Sequence, residues 1–288
     1  MRKVLLATTA LVAMSVTAAS ADITISGSYR YQYAIENEAA NASSSDGNVT
    51  IKASSTADNG ITYTVVQNNG IHTGDVEDAY LEMSGDFGTI FLGETDSALD
   101  RVDGITADNQ AYKRFGNGTT AAPSIASQAI GVGSEANATV NFISPSMNGF
   151  QVVGSSDDTA GESGFGIGYS NDLASVIYQA KGGGGTEETM VAAGISVAGF
   201  GVNVSSKEST TGSTKTTSDG IAVSYSINGI NLVAESARGT VGARKDKYTN
   251  IGATYSVAPG VTAAVEAFDD DTNNTKTSGT FLSLNVSF

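Results

Sequence analysis

The connections in this chain alternate between two kinds, and that alternation restricts its fold more than any other feature. Tight turns fall at Ala57-Asp58-Asn59-Gly60, Gly85-Asp86-Phe87-Gly88, Met147-Asn148-Gly149, Asn171-Asp172, Gly199-Phe200-Gly201, Asn228-Gly229 and Pro259-Gly260. Between them lie longer polar stretches: Glu36–Gly47, Asn69–Asp75, Asp96–Ala136, Ser156–Ser163, Gly182–Glu188, Lys207–Ser218, Arg238–Arg244 and Asp269–Ser278. A soluble sandwich has no reason to keep short and long connections in strict order. An antiparallel barrel across a membrane does, because one rim is built of hairpin turns and the other of loops. Fifteen connections imply sixteen strands. The even number puts both chain ends on one side and lets the first strand pair with the last, leaving no open edge in lipid.

The segments between the connections alternate with period two. In the first, Ile23, Ile25, Gly27, Tyr29, Tyr31 and Tyr33 share one face, while Thr24, Ser26, Ser28, Arg30 and Gln32 share the other. In the last, Leu282, Leu284, Val286 and Phe288 oppose Ser283, Asn285 and Ser287. The reading predicts strands at about 23–35, 48–56, 61–67, 76–84, 89–95, 137–144, 150–155, 164–169, 173–181, 189–197, 201–206, 219–227, 230–237, 245–257, 261–268 and 279–288. Sixteen strands are too many for one sandwich and enough for a barrel with a water-filled channel. Pro123, Pro145 and Pro259, the three prolines, interrupt no predicted ladder.

The N-terminus reads as an export signal. Arg2 and Lys3 precede an apolar run from Val4 to about Val16, and Ala19-Ser20-Ala21 is a small-residue cleavage pattern. Residues 1–21 are therefore expected to be removed, leaving 22–288 as a single barrel domain. No comparable apolar run follows. The chain has no Cys, so no disulfide framework supports the exported protein. Lys+Arg number 15 against 30 Asp+Glu; without Arg2 and Lys3 the balance is 13 against 30, a net of −17. That charge argues against nucleic acid, whose phosphates need a basic surface. It suits cations, including divalent ions that bridge to an anionic lipopolysaccharide layer.

The start Asp-Ile-Thr-Ile-Ser-Gly-Ser-Tyr-Arg-Tyr (22–31), the segment Gly-Asp-Phe-Gly-Thr-Ile-Phe-Leu-Gly-Glu-Thr-Asp-Ser-Ala-Leu-Asp (85–100), the segment Asp-Gly-Ile-Ala-Val-Ser-Tyr-Ser-Ile-Asn-Gly-Ile-Asn-Leu (219–232) and the strand ending in Phe288 resemble a bacterial trimeric porin of the alphaproteobacterial type. The resemblance spans the whole mature chain. It implies an all-β, transmembrane up-and-down barrel in the Gram-negative outer membrane, with a long third outer loop folded into the lumen. It further implies a homotrimer passing ions and small hydrophilic solutes by passive diffusion, and a terminal Phe288 read by the outer-membrane assembly machinery. The alternatives are a substrate-specific channel of the same fold and, from another class, a secreted all-β adhesin or structural protein.

Asp96–Ala136 is far longer than its peers, and loops of that length in compact proteins are usually functional or disordered. By resemblance it makes the constriction. Glu94, Asp96, Asp100, Asp103 and Asp108 are then candidates for a carboxylate filter, because a narrow low-dielectric passage lined with carboxylates concentrates cations. Arg30 and Lys52, on the polar faces of the first two strands, are candidates for a basic lumen wall opposite. The wall is poorer in Arg than the family pattern, which favours cation selectivity. Asp269, Asp270 and Asp271 offer oxygen ligands for a weak Ca²⁺ site at an outer loop, although the spacing matches no EF-hand; no cofactor is required. Arg244, Lys245 and Lys247 form a local basic cluster set against neighbouring acidic loops. Tyr29, Tyr31, Tyr33, Tyr63, Tyr169, Tyr178, Tyr225, Tyr255 and Phe288 suit aromatic girdles at the lipid boundary. The single His72 has no local Ser or Asp partner, and there is neither a Cys nucleophile nor a phosphate loop, so no enzymatic activity is expected.

Overall fold

The computed structural model describes residues 21–37, 41–71, 74–101, 140–157 and 161–288. The strands are β1 (Asp22–Glu36), β2 (Ala42–Thr56), β3 (Thr62–Gly70), β4 (Val76–Gly85), β5 (Gly88–Glu94), β6 (Val140–Ile143), β7 (Phe150–Asp157), β8 (Glu162–Ser170), β9 (Ala174–Gly183), β10 (Thr186–Val197), β11 (Phe200–Thr211), β12 (Thr214–Ile227), β13 (Ile230–Val241), β14 (Arg244–Ala258), β15 (Val261–Thr272) and β16 (Thr275–Ser287). One short helix, α1 (Ala98–Arg101), follows β5. Each strand pairs antiparallel with its sequence neighbours, and β1 pairs with β16, which closes a sixteen-stranded barrel.

The two faces of the wall are the reverse of a soluble protein. Large apolar side chains are exposed, including Ile25 (65%), Val65 (59%), Phe165 (53%) and Ile251 (64%), while polar residues of the opposite parity, such as Gln32, Gln179 and Glu266, are at most 2% exposed. A continuous apolar exterior of this extent is tolerated only against lipid. The outward set is therefore the membrane face, and the inward set lines the lumen.

Closure is completed at the C-terminus. Gly27 and Phe288 exchange two backbone hydrogen bonds of 3.0 Å. The Phe288 ring lies over Gly27, where a β-carbon would come within 2.8 Å of it. Glycine is required there because any larger residue would displace the ring or the strand. The turn-side rim carries outward aromatics: Phe150 lies on Tyr169 at 4.8 Å and Phe200 on Tyr225 at 4.1 Å. Tyr63, Phe87, Tyr255 and Phe288 belong to the same rim. Phe87, Phe150 and Phe200 were not among the residues expected there.

The strands run further than their sequence pattern suggests, and nearly always at the loop side. The polar stretches expected at Gly182–Glu188, Lys207–Ser218, Arg238–Arg244 and Asp269–Ser278 are ladder, joined by turns of two residues at 184–185, 212–213, 242–243 and 273–274. Crossing the hydrocarbon takes only ~9–11 tilted residues, whereas β12 has 14 and β14 has 15. Beyond the apolar band, polar residues satisfy one another across strands. Thr186 pairs with Thr211 at 3.0 Å, Thr217 with Thr240 at 2.6 Å, and Lys215 with Glu208 at 2.7 Å. At the tip of the last hairpin Asn273 and Asn274 both adopt positive φ (52° and 64°), as a tight turn matching strand twist demands. The expected contrast between two rims thus fails as a contrast in loop length over the second half of the barrel.

Candidate functional site

The chain leaving β5 turns into the lumen. Ser97 caps α1: its Oγ accepts from the Leu99 N–H at 3.2 Å and contacts Ser155 Oγ at 2.7 Å. The Ala98 N–H donates to Asn141 Oδ1 (2.7 Å) and to Ser155 Oγ (2.8 Å), and Gln179 Nε2 donates to the Leu99 carbonyl at 2.7 Å. These are wall residues of β6, β7 and β9 reaching inward to satisfy a helix start that would otherwise be buried with open donors. Ala98 and Leu99 are completely buried against Val153, Ile177, Met190 and Ala192. Gly164 makes room for them, since a β-carbon there would stand 3.0 Å from Leu99 Cδ1. The root of the long connection is thus fixed to the inner wall of β7–β10.

The candidate acidic residues divide sharply. Asp96 is exposed at this root, and its carbonyl accepts from Asn141 Nδ2 at 3.3 Å. Glu94 pairs with Ala79 in the register of outward-facing Leu92, so it points away from the lumen. The strand parity that carries Leu92 outward carries Glu94 with it, which removes Glu94 from the expected filter. Asp100 belongs to α1, with its side chain outside the description; Asp103 and Asp108, like His72, lie outside the described residues. Arg30 and Lys52 both take inward positions, Arg30 opposite Asp46 and Asn285, Lys52 opposite Thr24 and Val66.

Asp269, Asp270 and Asp271 do not converge. They are consecutive residues of β15, so the pleat sends Asp270 inward, 4% exposed and accepting from Thr272 Oγ1 at 3.0 Å, and its neighbours outward. Among the described residues no group of three His, Cys, Asp or Glu could hold a metal ion. The same pleat divides the basic cluster. Arg244 faces inward and grips Asp246 with two contacts, 2.9 and 2.8 Å, while Lys245 and Lys247 face outward.

Two inward features were missed in the sequence. The first is a carboxylate-bearing wall on β13–β15. Asn250 Nδ2 donates to Glu235 Oε2 at 3.1 Å, and Tyr248 Oη donates to Glu266 Oε1 at 3.3 Å. Asp246 also accepts from the Asn273 N–H at 3.0 Å. Glu235, Asp246, Glu266 and Asp270 are all no more than 4% exposed. The second is a row of alternating charge on β8–β11. Lys181 bonds Glu162 at 2.9 Å and stands opposite Glu188 in register, and Lys207 meets Glu188 at 3.4 Å. Both could have been found by listing which face each charged residue takes.

The fold is shared by solved structures of low sequence identity. A loop L8 deletion mutant of OmpT, an outer membrane protein of Vibrio cholerae, superposes with a TM-score of 0.73 at 14% identity, covering 93% of this chain and 99% of that one. An anion-selective porin from Comamonas acidovorans gives 0.73 at 12%, covering 93% and 100%. A mutant of Rh. blastica porin gives 0.68 at 16%, covering 93% and 100%. No curated protein matches the chain. Residues 7–285 match the family model for the Gram-negative porin. With its apolar exterior, closed sixteen-stranded wall and polar lumen, the chain belongs to the Gram-negative porin family and is an outer-membrane channel for small solutes.

Proposed function

We propose that the channel conducts cations in preference to anions, passively and without catalysis, and that it works as a homotrimer. The observation that carries the preference is the sign of the inward-facing charges. Glu36, Asp46, Asp78, Glu82, Asp157, Glu162, Glu188, Glu235, Asp246, Glu266 and Asp270 face inward, against Arg30, Lys52, Lys181, Lys207 and Arg244. Among the described residues, Lys181, Lys207 and Arg244 are ion-paired, to Glu162, Glu188 and Asp246. The residual field of the wall is negative, and low-dielectric walls focus it on passing ions. A structural neighbour is named as anion-selective, so selectivity follows from the charges mounted on this fold. Asp96, Asp100, Asp103 and Asp108 would add to the negative side at a constriction, with Arg30 and Lys52 providing the weaker positive side. The trimer draws support from OmpT of Vibrio cholerae, described in a trimer form (TM-score 0.72, 12% identity). The assembly machinery would recognise Phe288, a reading supported by its backbone pairing with Gly27 at the closing seam. Any Ca²⁺ would be held at the acidic outer surface and is not needed for conduction.

Planar bilayers with a KCl gradient test the preference. Stepwise conductance with a zero-current potential of cation sign is expected. A potential of anion sign from a folded, heat-modifiable barrel would overturn it.

A further inference from the structure

We propose that two uncharged residues, Asn250 and Tyr248, set the strength of the channel's ion preference. They are positioning residues: Asn250 holds Glu235 directly and Glu266 through Tyr248, so the two lumen carboxylates respond as one unit. The inference rests on the cation preference proposed above and adds the residues that control it. The order of the hydrogen bonds carries it. Asn250 Nδ2 donates to Glu235 Oε2 at 3.1 Å and to Tyr248 Oη at 3.3 Å. A phenol has a single hydrogen to give. With the phenol oxygen accepting from Asn250, that hydrogen goes on to Glu266 Oε1 at 3.3 Å. Asn250 and Glu235 are direct cross-strand partners. Glu266 stands opposite Gly252, which puts no side chain beside the carboxylate. Loss of Asn250 therefore reaches both acids, whereas loss of the phenol oxygen reaches Glu266 alone.

The orientation of the amide serves the carboxylate. Asn250 Oδ1 is buried and has no hydrogen-bond partner among the described residues. Turning the amide over would bring that oxygen against Glu235, with two acceptors facing each other. Donation to Glu235 decides the orientation, and the stranded oxygen is its consequence. The phenol is held as firmly. The Tyr248 ring packs with Ala34, Ala237, Phe268 and Phe281 in a buried apolar cluster, in which Phe268 and Phe281 stack at 4.9 Å and 21°. Its hydroxyl is thereby fixed at one place on the wall. A buried charge is costly unless it is hydrogen-bonded, and these two donors let charge stand at Glu235 and Glu266. Hydrogen bonds in series also polarise one another, so the first donor strengthens the second.

The test measures the zero-current potential of the full-chain barrel in planar bilayers under a KCl gradient. Asn250→Leu should lower the cation-to-anion permeability ratio about twofold and Tyr248→Phe about 1.5-fold, since the first weakens two wall charges and the second weakens one. The same changes are then made in charge-free backgrounds. Tyr248→Phe should have no further effect when Glu266→Gln is present, and Asn250→Leu none when Glu235→Gln and Glu266→Gln are both present, because residues acting through a shared partner are not additive. Heat-modifiable folding should be kept throughout. If Asn250→Leu does not fold, Tyr248→Phe, which removes one oxygen and keeps the ring, decides the matter. An unchanged ratio in the folded variants, a larger effect of Tyr248→Phe than of Asn250→Leu, or equal effects with and without the Glu→Gln changes would each overturn the proposal. An anion-selective wild type would sink the cation preference instead; the relay would still show as a shift that vanishes in the Glu→Gln backgrounds.

Discussion

Two patches of the same inner wall behave as opposites. On β7–β10 the lumen face presents Val153, Ile177, Met190 and Ala192, and it buries Ala98 and Leu99 completely. On β13–β15 the lumen face presents Glu235, Asp246, Glu266 and Asp270, held by Asn250, Tyr248 and Arg244. Backbone geometry is the same in both, so the difference lies in side chains alone. The first patch anchors a returning piece of chain through burial. The second fixes charge in place. A barrel wall can therefore be divided into a socket and an electrode without any change in its hydrogen-bonded frame.

Substitutions sharpen that division in descending order of effect. Leu99→Asp places a charge in a dry apolar socket, which costs several kcal/mol without a partner. The root of the loop should leave the wall, seen as raised, noisy single-channel conductance in a barrel that still resists heat. If conductance stays quiet and unchanged, the socket is not what holds the root. Next, Asn141→Ala removes one of two acceptors for the buried Ala98 N–H, at about 1–2 kcal/mol. The same noise should appear in milder form and at higher temperature. Third, Glu235→Gln with Glu266→Gln keeps shape and most hydrogen bonds while removing two wall charges. The cation-to-anion permeability ratio should fall about threefold, equivalent to roughly 0.6 kcal/mol. An unaltered zero-current potential would assign the field to other carboxylates. Smallest, Lys181→Met breaks the half-buried pair with Glu162, worth at most about 1 kcal/mol. Thermal unfolding of the barrel should shift little, with a slight rise in cation preference.

How legible this was in the sequence depends on which force placed each residue. The turn-side strand ends were readable, because the lipid boundary fixes an apolar residue and a turn signal close together, as at Asn228-Gly229 followed by Ile230. The loop-side ends were not. Glu187, Lys215, Thr240 and Lys276 are ladder residues beyond the hydrocarbon, and a polar ladder looks like a loop when judged by hydropathy. Arg30 and Lys52 share the parity of the polar residues around them in β1 and β2. Glu94 was misplaced because it was grouped with the loop by proximity instead of by the parity of Leu92. Asp269–Asp271 failed for the same reason, since a run of identical residues in a strand alternates faces. The α1 root was invisible, being one turn long and specified by wall residues such as Asn141 and Gln179, distant in sequence.

The seam between β1 and β16 has a kinetic consequence. Gly27 and Phe288 bond each other across almost the whole length of the chain, whereas every other described strand pair joins sequence neighbours. Pairs between neighbours form locally and can zip in order, but closing the largest loop costs the most chain entropy and is expected to come last. Until it does, two strand edges stay open, each able to pair with a foreign strand. Removing Phe288 should therefore slow closure more than it weakens the finished barrel, leaving a longer interval in which misassembly competes with folding.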